Sequence, residues 1–108
     1  MTLSILDFAK IINEFLVVKF NPHLGIWQAS MENGEIKQGK FLLGEWGAGS
    51  SCDAAIDDYA KLIRGKVLVF HAMSSKLRRE FTVPSDMTGL EKEKLQRMTK
   101  KLVVKGKL

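Results

Sequence analysis

A chain of 108 residues, 45% apolar and 27% charged, has the make-up of one globular domain with one core. No apolar run approaches the roughly 20 residues of a bilayer span. One cysteine and two histidines exclude an internal disulfide and fall short of a standard zinc cluster, while a net charge of +5 admits an anionic partner.

The N-terminal MTLSILDFAK lacks a basic flank and is interrupted by Asp7, so no signal peptide is expected. With a lone cysteine, a reducing cytoplasm fits best. Ser4 followed by Asp7 is a capping-box variant. Ile5, Phe8, Ala9, Ile12, Phe15 and Leu16 then recur at helical spacing, which predicts an amphipathic helix over 5–16. Asn21-Pro22 ends the pattern. Trp27, Ala29 and Met31 alternate with Gln28, Ser30 and Glu32, the mark of a strand with one buried face. Asn33-Gly34 predicts a hairpin turn into a second strand near 35–38. Gly39 and Gly44 flank Lys40-Phe41-Leu42-Leu43, a continuation or a third strand.

Ser50 or Ser51 caps the next helix, with Asp53 near its positive end. Ala55, Ile56, Tyr59, Ala60, Leu62 and Ile63 form its apolar stripe, and Gly65 stops it. Val67-Leu68-Val69-Phe70 reads as a buried strand, and Leu77–Val83 as another, ended by Pro84. Thr88 with Glu91 predicts a third, basic helix over about 89–104, with Leu95, Met98 and Leu102 as its narrow apolar face. The expected architecture is a single α+β domain over 1–108, its core over about 4–84. The order is α-β-β-(β)-α-β-β-α, with a mainly antiparallel sheet covered by helices.

The strand pair around Asn33-Gly34, followed by Gly47-Ala48-Gly49-Ser50 and a helix carrying Ala55 and Ala60, resembles the layout of a double-stranded-RNA-binding domain. Over residues 25–70 it also resembles the shortened version in HicB-like antitoxins. The first resemblance implies lysines at the helix start that hold phosphate. This chain has Cys52, Asp53, Asp57 and Asp58 there, and carboxylates oppose a phosphate backbone. The second implies an antitoxin-like role, neutralising a partner by binding it. No ribbon-helix-helix or helix-turn-helix signature accompanies it.

No catalytic constellation emerges. The glycine turn lacks the Gly-Lys-Ser/Thr ending of a P-loop. Cys52 stands at a helix start, where the dipole favours a thiolate, but no base is placed beside it. Asp53 and Asp57 share a helix face without further oxygen ligands for a metal ion. The reading is therefore a non-catalytic module with no cofactor or metal. It binds a protein partner, or a second copy of itself, through Trp46, Asp53, Asp57 and Asp58. Trp46, between Glu45 and Gly47, suits a protein hot spot or a stacking platform. A small accessory protein of a phage or mobile element fits this economy. The alternative is a nucleic-acid-binding protein using Lys92, Lys94, Arg97, Lys100, Lys101 and Lys105 of the C-terminal helix. A cysteine-dependent enzyme is a third reading, and membrane binding is disfavoured because the basic helix carries no aromatic residue.

Overall fold

The computed structural model describes residues 3–89 and 101–106. Helix α1 spans Ile5–Ile12, and its N-terminus is held as expected, with the Asp7 amide donating to Ser4 Oγ at 3.2 Å. It stops four residues before the predicted end. Asn13 adopts the left-handed conformation and its amide turns back to the last carbonyls of the helix, the form of a helix C-terminus. Phe15 and Leu16 continue the helical period in sequence, yet Leu16 opens a strand that the sequence reading missed.

That strand, β1 (Leu16–Asn21), pairs antiparallel with β2 (Ile26–Met31). The chain continues through β3 (Gly34–Gln38), β4 (Phe41–Leu43), β5 (Gly47–Gly49), helix α2 (Cys52–Ile63), β6 (Val67–Phe70), β7 (Arg79–Thr82) and β8 (Leu102–Lys105). Two four-stranded sheets result, ordered β5-β2-β1-β8 and β4-β3-β6-β7. Among the described strands every pairing is antiparallel except β1 with β8. The α+β class holds.

Asn33-Gly34 does not make the expected hairpin, because β2 and β3 belong to different sheets. Asn33 takes the left-handed turn. Gly34 serves a close approach instead, since a Cβ there stands 2.9 Å from a Phe70 ring carbon. The tight hairpin lies five residues on, where Gly39 at φ +60 leads the two-residue turn between Gln38 and Phe41.

The predicted third helix is corrected where it is described: Leu102–Lys105 is a strand beside β1. Residues 90–100 of that prediction, with Lys92, Lys94, Arg97 and Lys100, lie outside the described residues. Thr88 forms an isolated bridge to Ser4. The last strand is therefore part of the first sheet and not an appendage to it.

One apolar cluster gathers residues from both helices and both sheets, including Ile5, Phe8, Val18, Met31, Ile36, Ile56, Tyr59, Leu68 and Phe70. Tyr59 and Phe70 are among its largest fully buried side chains. Helix α2 begins with the Ala54 amide on Ser51 Oγ at 3.1 Å, so Ser51 is the cap. Its apolar stripe lies against β2 and β5. No helix among the described residues is long and apolar enough to cross a membrane.

Candidate functional site

The stretch read as a glycine turn, Gly47–Gly49, is an edge strand held against α2. Strand alternation turns Gly47 and Gly49 toward the helix. A Cβ on Gly47 stands 2.5 Å from the Ala55 carbonyl oxygen and 2.6 Å from Tyr59 Cα, and one on Gly49 stands 2.6 Å from Ala54 Cβ. The glycines therefore allow strand and helix backbones to touch. Asp58 completes the joint: its Oδ2 accepts the Ala48 amide at 2.9 Å. That amide points away from β2, so the carboxylate occupies part of the free strand edge.

With α2 on the inner face, the opposite face of the first sheet carries its own set of side chains. Leu16 and Val18 of β1 are buried, while Val17, Lys19 and Asn21 alternate with them. Trp27, Ala29 and Met31 likewise turn to the core side, where Trp27 meets Phe20 edge-on at 5.3 Å. This leaves Gln28 and Ser30 on the outer face, Ser30 half-buried and Gln28 nearly covered at 8% exposure. The pairings Lys19 with Gln28 and Lys19 with Lys105 put those three side by side on neighbouring strands. Together with Leu24, Glu32 and Trp46 they line an open groove of about 390 Å³. Trp46 is 55% exposed and Leu24 64%.

Of the residues proposed from sequence, Trp46 is thus on this groove. Asp53 and Asp57 are exposed on α2, the layer behind the sheet. Asp57 abuts Gly89, where a Cβ would overlap its carboxylate, and Asp58 holds β5. The four do not form one patch. Lys105 reaches the groove, but on a strand. Lys101 turns elsewhere, its Nζ 2.6 Å from Asn13 Oδ1 and 4.5 Å from the Phe15 ring centre.

No family model, curated protein or solved structure matches this chain.

The nucleophile reading gains no support. Partial burial, and secondly the Asp53 carboxylate, push the Cys52 thiol above its ordinary pKa, outweighing the help of its place at the helix start. No cluster of three metal-ligating side chains occurs among the described residues. A polar cluster that sequence reasoning did not find ties the connection between α1 and β1 to the second sheet. Buried Glu14 accepts from Arg79 at the start of β7, and His71 Nε2 lies 3.9 Å from the same carboxylate oxygen. Its members are far apart in sequence, and no local pattern marks them. The groove did carry a signal, since Val17, Lys19 and Asn21 alternate with apolar neighbours. The helical period running through Phe15 and Leu16 masked it.

Proposed function

We propose that this chain is a non-catalytic interaction module whose working surface is the outer face of the first sheet, anchored by Trp46. The observation that carries this is the pairing of exposed Trp46 with exposed Leu24 on one groove, in a sheet whose other face is covered by α2. A half-exposed tryptophan beside an open depression is the kind of anchor that dominates binding energies. On their own these two apolar side chains support a protein partner, which an antitoxin-like role also requires. The acidic face of α2 is left out of this surface, because Asp53 and Asp57 stand on another layer and Asp58 is engaged by Ala48. A second reading, an anionic polymer as partner, is favoured by Lys19 and Lys105 in direct register.

Capture on the immobilised full chain tests the surface, with retained protein and nucleic acid both identified. A partner kept by the wild type and by Asp53→Lys, but lost by Trp46→Ala, supports the reading. A partner indifferent to Trp46→Ala and lost with Asp53→Lys overturns it.

A further inference from the structure

We propose that the outer face of the first sheet binds single-stranded nucleic acid, with a base stacked on Trp46 and adjoining phosphates held by Lys19 and Lys105. This deepens the second reading of that face, with an anionic polymer as its partner, and rests on the face being the binding surface.

The argument starts from register. Lys105 sits beside Lys19, and Gln28 beside Lys19 on the other side. Ala48 is level with Gln28, so the position before Gly47, which is Trp46, comes level with Ser30. The face is thus ordered: two adjacent lysines on one side, a polar floor of Gln28 and Ser30, and an indole on the other side. Neighbouring strands are about 4.8 Å apart and alternate residues about 7 Å along a strand. The backbones of Lys19 and Trp46 are therefore roughly 12 Å apart, a gap that two long side chains shorten.

Charge complementarity selects the occupant. Neither lysine of the pair has an ion-pair partner among the described residues, and the chain as a whole carries +5. Among the described residues the one acid on the groove is Glu32, two residues beyond Ser30 along this surface. It disfavours phosphate at that end and leaves the lysine end as the phosphate track. An aromatic platform next to a cationic track over a polar floor is the arrangement that holds unpaired bases. A duplex hides its base faces and cannot stack on Trp46. The duplex-type site suggested by the family resemblance, at the start of α2, carries Asp53 and Asp57 and is not used here.

The test is fluorescence anisotropy of a fluorescein-labelled twelve-nucleotide oligothymidine with the full chain. With two phosphates neutralised, affinity should fall about sevenfold from 50 to 200 mM salt. Trp46→Ala should weaken binding roughly 5- to 150-fold, and Trp46→Phe, which keeps an aromatic face, should restore most of it. Lys19→Gln with Lys105→Gln should remove most of the salt dependence. Circular dichroism melts of each variant separate lost binding from lost folding. No saturable binding overturns the proposal, as does equal affinity for a twelve-base-pair duplex or affinity indifferent to Trp46. If the oligonucleotide fails while a protein partner is lost with Trp46→Ala, this inference falls and the module reading stands. If both are indifferent to Trp46, both fall.

Discussion

Replacing Gly47 by alanine should unlock the joint between β5 and α2. The added Cβ would stand 2.5 Å from the Ala55 oxygen and 2.6 Å from Tyr59 Cα. Both obstacles are backbone, so no side chain can swing aside. Ordinary contact requires about 3.5 Å, so strand and helix must part by about 1 Å. That separation strains the Ala48–Asp58 hydrogen bond and loosens the packing of Tyr59. Overpacking of a core costs about 1–3 kcal/mol, and the rigid surroundings place this case near the upper end, at about 3 kcal/mol. Against a total stability of about 5–15 kcal/mol, that is a large fraction. With a urea slope of about 1.5 kcal/mol per molar, the unfolding midpoint should fall by about 2 M. Gly44→Ala is the control: nothing lies within 4 Å of its Cβ position and its φ is not left-handed, so its stability should stay within about 0.5 kcal/mol of wild type and its midpoint should barely move. Equal midpoints for the two variants would refute the close-approach explanation.

Other parts of the structure give independent tests. Burial pushes the Tyr59 hydroxyl up to about 12, partly offset by a backbone hydrogen bond at Met31. Because the folded pKa exceeds the unfolded value near 10, its contribution is complete below pH 10 and is lost as pH rises toward 12, amounting to about 2–3 kcal/mol. Tyr59 is the sole tyrosine, so absorbance at ~295 nm reads it directly; a phenolate appearing near pH 10 in the folded protein would contradict its burial. Arg79→Leu removes the close partner of the Glu14 carboxylate, whose side chain is 8% exposed, and among the described residues leaves it only His71 at 3.9 Å. It should cost about 2 kcal/mol, below the full buried-pair value because Arg79 itself is partly exposed. Adding Glu14→Gln should recover at least half of that loss, and a double variant as unstable as the single one would refute the pairing. Cys52 should alkylate more slowly at neutral pH than an unhindered thiol, since burial and Asp53 hold it protonated; rapid selective alkylation would revive the enzyme reading.

The elements legible in the sequence were those fixed by local chemistry. Ser4 and Ser51 cap their helices, the alternation from Trp27 to Met31 marks β2, and Val67–Phe70 is a buried strand. What was hidden depends on distant partners. The left-handed turn at Asn13 ends α1 and frees Leu16 for β1, although the apolar period continues. Asn33-Gly34 is a good hairpin signal, but the ring of Phe70 uses Gly34 for packing, and the chain changes sheet there. Gly47 and Gly49 look like a loop in sequence and prove to be a strand because α2 lies against them. Leu102–Lys105, placed in a basic helix by its neighbours, gains strand pairing from β1. The groove follows the same logic. Trp46 was singled out as an isolated exposed aromatic, whereas Lys19, Gln28 and Ser30 became its neighbours only through strand register.

The most direct test of the account is site-specific photocrosslinking in the native cell, with a benzophenone amino acid at position 46 and, separately, at position 53. The outer-face account predicts adducts from position 46 and none from position 53, which stands behind the sheet on α2. Adducts from position 53 alone would contradict it and move the working surface to the acidic helix.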